Sequence, residues 1–137
     1  MPKTILIVED SRIDETLIRH VLKDADFTDD NIVVARDGVE ALDYLFGTGK
    51  YEERGNVALP SLIILDLHLP KINGVEVLRR IRADSRTQHL LVSIFSSSLN
   101  NDDITKSDKL GVTSYIHKSP DLTEYARSIH ELIKNIA

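Results

Sequence analysis

Leu62-Ile63-Ile64-Leu65, followed at once by Asp66, is the most continuously apolar run in the chain. A short aliphatic run with no polar alternation reads as a strand buried on both faces, the habit of parallel sheets covered by helices. It stops on an acid, which places that charge at the C-terminal edge of the strand. Two other runs stop the same way. Ile5-Leu6-Ile7-Val8 ends on Glu9-Asp10, and Tyr115-Ile116-His117 ends on Lys118. Ligands of open parallel α/β sheets bind at that edge. Three carboxylates and one ammonium converging there form a site for a divalent cation and a phosphoryl group.

Working outward, strand-like and helix-like stretches alternate along the chain. The first strand spans about 4–9. Ser11-Arg12-Ile13-Asp14 reads as a capping box, with the serine oxygen accepting a free helix amide and the acid reaching back. Ile13, Leu17, Ile18, Val21 and Leu22 follow at helical spacing. A β-branched strand occupies 31–35, and Asp37-Gly38 leads into a helix with Val39, Ala41, Leu42, Leu45 and Phe46. Residues 47–60 read as a long polar loop, unusual for this kind of connection. After the strand at 61–66, Gly74 opens a helix with Val77, Leu78 and Ile81. The fourth strand is 91–96. A polar helix near 101–110 ends at Gly111, which suits a left-handed cap. The fifth strand is 113–117, and the last helix carries Leu122, Ala126, Ile129, Ile133 and Ile136. Five βα units predict right-handed crossovers and a parallel sheet covered on both faces. Helices and strands fill nearly all of 1–137, which predicts one domain and no appended output module.

The bulk numbers narrow the function classes. A chain of 137 residues has room for one real core. Its net charge of −5 argues against nonspecific binding to nucleic acid or anionic membrane. The absence of cysteine excludes disulfides, thiolate metal sites and thiol catalysis. No apolar run approaches a membrane span or a signal peptide, so a cytoplasmic protein is expected.

Each candidate residue also has a bland reading. Glu9-Asp10 taken alone is an even bet between a site and a solvated loop. Asp66 changes the odds, because a rigid strand aims its carboxylate and acids this close repel unless a hard dication joins them. Lys118 alone is more often a surface lysine, and Ser96-Ser97-Ser98 reads equally as a polar turn. The argument is joint: four strand ends each present a suitable group. His20, His89 and His130 read as surface residues. His68 lies two residues past Asp66, either solvated or controlling water access to it.

The pattern resembles the receiver domain of two-component response regulators across essentially the whole chain. The resemblance rests on Ile5-Leu6-Ile7-Val8-Glu9-Asp10, Asp37-Gly38, Asp66-Leu67-His68-Leu69-Pro70 with Gly74, Ser96, and Tyr115-Ile116-His117-Lys118. It implies a flavodoxin-like, doubly wound five-stranded parallel sheet of order 2-1-3-4-5 with five helices. It implies that Asp66 accepts phosphate from a histidine kinase or phosphotransfer protein. It further implies Mg²⁺ held by Asp10, Asp66 and the His68 carbonyl, with Glu9 acting through metal-bound water. Ser96 and Lys118 would hold the phosphoryl oxygens, and Tyr115 would be the rotameric switch. The family usually has proline directly after the lysine; here Ser119 intervenes before Pro120. The 47–60 segment looks most like the stand-alone receivers serving phytochrome-type histidine kinases.

On this reading the chain is a signalling substrate more than an enzyme, although it contributes its own phosphotransfer machinery. Its output would pass to a downstream protein or a second copy through the 101–110 helix, strand five and the last helix. The kinase would dock on the first helix. A monomer or a phosphorylation-dependent dimer is expected. Two alternatives share features. A phosphatase with an aspartyl intermediate normally wants an acid where His68 stands. A flavin-binding electron carrier wants a Ser/Thr-rich phosphate loop where Glu9-Asp10-Ser11 stands.

Overall fold

Every second side chain of a strand faces the same way, so an unbroken apolar run feeds two cores at once. The computed structural model describes residues 3–54, 59–97 and 101–136. Its elements are β1 (Ile5–Val8), α1 (Arg12–Asp24), β2 (Ile32–Ala35), α2 (Gly38–Phe46), β3 (Leu62–Asp66), α3 (Gly74–Ala83), β4 (Leu91–Ser96), α4 (Asn101–Leu110), β5 (Ser114–His117) and α5 (Leu122–Ile136). The strands form one parallel sheet in the expected order β2-β1-β3-β4-β5. Leu6, Val8, Ile63, Leu65, Val92 and Ile94 pack beneath α2 and α3. Ile5, Ile7, Leu62, Ile64 and Phe95 meet Ile18, Val21 and Leu22 of α1 and Tyr125, Ile129, Leu132 and Ile133 of α5.

The same alternation sorts the functional residues. Glu9 continues the parity of Ile5 and Ile7, and Asp66 that of Leu62 and Ile64. Ile116 pairs with Phe95, so Lys118 follows on this face too. These three therefore lean toward α1 and α5. Ser96 has the parity of Val92 and Ile94, and Tyr115 pairs with Ile94, on the side of α3 and α4. Strand register thus sets Glu9, Asp66 and Lys118 on one face of the sheet and Ser96 and Tyr115 on the other.

Several expectations needed correction. Gly49–Arg54 of the supposed loop is a 3₁₀ helix, pinned where Tyr51 meets Tyr44 edge-on at 5.2 Å; residues 55–58 lie outside the described residues, as does Ser98. Ile13 and Leu122, placed on core faces by their spacing, are 78% and 59% exposed. Both sit in the first turn of their helix, where they line a groove between α1 and α5 instead of entering the core. Helix α4 has few apolar residues, as expected, but polar bonds hold it. Arg82 donates to the carbonyls of Leu110, Gly111, Gln88 and Leu90 at 2.8–3.2 Å. Gly111 has the left-handed φ of 79° that a helix end needs. No helix among the described residues is long and apolar enough to cross a membrane.

Candidate functional site

The strand ends bring Glu9, Asp10 and Asp66 together, with candidate ligand oxygens all within 4.8 Å of one another. Glu9 and Asp66 are 1% and 5% exposed, whereas Asp10 faces solvent. Their orientation is fixed by local bonds. Glu9 Oε1 accepts from the Ser11 amide at 3.1 Å, and Asp66 Oδ1 accepts from the His68 amide at 3.0 Å. Gly74 donates to the Leu67 carbonyl, and a Cβ there would collide with the backbone of Asp66 and Leu67. A side chain at position 74 would therefore push directly on the strand end that carries Asp66.

Lys118 spans the group. Its Nζ lies 2.5 Å from Glu9 Oε2, 3.3 Å from Asp66 Oδ2 and 3.4 Å from Asp14 Oδ2. Burial alone would lower the lysine, but Glu9, helped by Asp66 and Asp14, more than offsets this and holds it above its ordinary value. Burial pushes the Glu9 carboxyl up to about 7, with Lys118 opposing and the charge of Asp66 adding. The donor set of three close carboxylates, two of them buried, fits a hard oxygen-seeking dication. The His68 ring is exposed and stands outside this ligand group.

The folded chain holds a proton on Glu9 that the unfolded chain has already released, so the native state binds more protons between about 4.5 and about 7. In chelator, stability therefore falls as pH rises through that window. Urea melts at pH 5.5 and 8 measure it, and Glu9→Gln should flatten the slope. An identical slope in Glu9→Gln would assign the effect elsewhere.

Ser96 is fully buried at its strand end, and its carbonyl accepts from the Lys118 amide at 2.9 Å. The Tyr115 hydroxyl bonds Asp108 Oδ1 at 2.6 Å and lies 3.3 Å from the Ile104 carbonyl, so the ring is fastened to α4. Burial, with the Asp108 carboxylate, pushes this phenol up to about 12. The Lys118–Ser119 bond is trans, like every described peptide bond. The Ser119 hydroxyl accepts from the Asp121 amide at 3.1 Å, ahead of α5.

Two contributors escaped sequence reasoning. Asp14 does not complete the capping box: Glu9 takes the Ser11 amide, and the Asp14 carboxylate turns to Lys118. The Tyr125 hydroxyl is buried without a hydrogen-bond partner, near Asp14 but short of bonding geometry. Burial and the nearby carboxylates of Asp14, Glu9 and Asp66 hold this phenol well above its ordinary value.

Residues 5–130 match the family described as the response regulator receiver domain. The chain is 38% identical over 128 residues to the response regulator Rcp1 of Synechocystis sp., covering 93% of this chain and 84% of that protein. It is similar to the crystal structure of the phosphorylated cyanobacterial phytochrome response regulator RcpA, with a TM-score of 0.86, 37% identity and coverage of 98% and 93% of the two chains. The Mn²⁺-bound form of Rcp1 also matches with a TM-score of 0.86 and 37% identity, over 96% of this chain and 91% of that one.

Proposed function

The chain belongs to the response regulator receiver domain family of two-component signalling, and on that premise we propose that Asp66 is its phosphoacceptor, with a histidine kinase or phosphotransfer protein as donor. The observation that carries this is the Asp66 carboxylate, buried, oriented by the His68 amide and 3.3 Å from Lys118. One carboxylate oxygen attacks phosphorus as the P–N bond to a donor imidazole breaks, and the departing nitrogen keeps the electron pair and takes a proton. Lys118 and the Ser96 hydroxyl receive the phosphoryl oxygens. Asp10, Asp66 and the His68 carbonyl would hold Mg²⁺, with Glu9 assisting. Bound there, the cation supplies charge neutralisation where negative charge gathers. The Mn²⁺-bound relative supports an ion in this pocket. Water attack on the acyl phosphate resets the protein, and exposed His68, two residues past Asp66, would limit that access. The direct test is phosphoryl labelling of wild type beside Asp66→Asn.

The similarity to the phytochrome response regulator RcpA supports a receiver serving a phytochrome-type kinase. Receivers are signalling proteins rather than conventional enzymes, and neither the phosphatase nor the flavin reading finds support among the relatives.

Kinase docking uses the mouth of the site. Arg12, Ile13, Thr16, Leu17 and His20 of α1 line a groove of about 510 Å³ with Leu122 of α5. Arg19 of the same helix is held by Glu15 at 2.9 Å and Asp29 at 3.1 Å and does not line the groove. Exposed Ile13 and Leu122 are the stronger anchors. Ile13→Asp or Leu122→Asp should slow transfer from the kinase by about tenfold or more, the cost of losing one interface anchor. Labelling by acetyl phosphate should be unchanged. Equal loss with both donors would show damage to the site rather than to docking.

Output leaves through α4, β5 and α5, toward a downstream protein or a phosphorylation-dependent dimer. Ser96 moving toward phosphate frees space that the Tyr115 ring turns inward to fill, a population shift between two packed states. That turn requires breaking the Asp108 and Ile104 bonds. Tyr115→Phe removes both, so the inward state should gain ~0.5–1.5 kcal/mol. NMR of the ring during beryllofluoride titration reads the two states. An unchanged Tyr115 environment on adding beryllofluoride to wild type would count against the switch. Charge reversal at Lys106 and Lys109 should impair output and spare phosphotransfer.

A further inference from the structure

The Lys118 ammonium sits among three carboxylates, and two of them, Glu9 and Asp66, belong to the cation ligand group. A dication drawn to those oxygens competes with the ammonium for the same partners, and the two positive charges repel at close range. The third partner is different. Asp14 stands on α1 outside the ligand group, 3.4 Å from Nζ.

We propose that Asp14 is a positioning residue that gives the Lys118 amine a seat outside the metal ligands, so that lysine and cation occupy the pocket together. The inference rests on the reading of Glu9, Asp10 and Asp66 as the cation group. Two features of the local structure prepare the seat. At the third position of α1, an acid would ordinarily bond back to the residue that caps the helix. Here the Ser11 amide is already taken by Glu9, which leaves the Asp14 carboxylate free to turn inward. Near it, the Tyr125 hydroxyl is buried close to the Asp14 carboxylate but short of full hydrogen-bond geometry. A buried donor without a partner is a rare arrangement. Tyr125 donates to Asp14 once Lys118 shifts onto it, so the carboxylate keeps both its charge and its direction.

The seat has a consequence for timing. With the cation bound, Lys118 on Asp14 remains within a short side-chain rotation of Asp66. It is then ready to meet the phosphoryl oxygens as they arrive, rather than having been driven out to solvent. Without Asp14 the amine must either return to Glu9 and Asp66, against the cation, or leave the pocket.

Mn²⁺ titration by calorimetry tests this in wild type, Asp14→Asn, Lys118→Met and the double variant, with circular dichroism confirming the fold of each. Asp14→Asn should weaken Mn²⁺ about tenfold when Lys118 is present, and no more than about twofold when it is methionine, the signature of coupling through one partner. Asp14→Glu should recover most of the loss. In ¹⁵N spectra, the Lys118 Nζ resonance should move on adding Mg²⁺ to wild type but disappear into solvent exchange in Asp14→Asn. Equal weakening by Asp14→Asn in both backgrounds would reduce Asp14 to a distant charge and overturn the proposal. So would the absence of any weakening. Failure of the underlying ligand reading has its own signature: Asp10→Ala would bind Mn²⁺ as well as wild type, and the proposal would fall with it.

Discussion

Incubated with acetyl phosphate and Mg²⁺, or with a cognate kinase, the wild-type chain should take up a phosphoryl group and Asp66→Asn should take up none. The amide keeps the shape of the carboxylate and can still accept from the His68 amide, so the local fold is spared. What it lacks is an anionic oxygen with a lone pair directed at phosphorus. Loss of the nucleophile should reduce labelling by more than ~100-fold. The variant also removes one of three crowded acids, so its melting temperature should hold or rise. The bond made on wild type is a mixed anhydride, stripped by mild alkali, whereas a serine phosphoester survives. Equal labelling of the two proteins, or alkali-stable label on the variant, would move the acceptor elsewhere.

Asp10→Ala should be nearly as severe through a different cause. Asp10 is the exposed member of the acid group and makes no described hydrogen bond or ion pair. Removing it costs no packing and relieves repulsion, so the metal-free protein stays folded. Its loss should weaken Mg²⁺ by at least the ~10–100-fold that losing even an outer partner of a ligand costs. Phosphorylation at millimolar Mg²⁺ should fall in parallel and recover partly at high concentration. Glu9→Ala is the instructive contrast. Glu9 is buried and holds both the Ser11 amide and Lys118, so its loss damages stability as well as the site. Wild-type phosphorylation that persists in excess chelator would remove the cation from the reaction altogether.

The strand ends were legible because unbroken aliphatic runs admit few other structures, and the charge that stops each run lies in plain view. That is why Glu9, Asp10, Asp66 and Lys118 come together at one edge of the sheet. The features that were not legible share a physical origin. Asp14 has two plausible partners, one local and one more than a hundred residues away, and periodicity sees only the local one. Arg82 and Tyr115 secure α4 through bonds to distant backbone and side-chain atoms, which leave no apolar pattern to count. Ile13 and Leu122 follow helical spacing faithfully, yet spacing sets direction and not depth. A first-turn residue can keep that spacing and still line a groove between two helices. Tyr125, by contrast, is 2% exposed and anchors α5, although the aliphatic stripe alone drew attention.

The guanidinium of Arg82 has a mechanical consequence. Its grip on Leu110 and Gly111 makes the C-terminal end of α4 a hinge post, while the opposite end begins five residues beyond strand end Ser96. A ten-residue helix is a lever of ~15 Å, so a tilt of ~10° carries its far end about 3 Å while the post stays still. A partner gripping the post end would feel nothing of the phosphorylation state. One gripping the swinging end would feel nearly all of it, and the leverage of the message therefore depends on where along a single helix it is read.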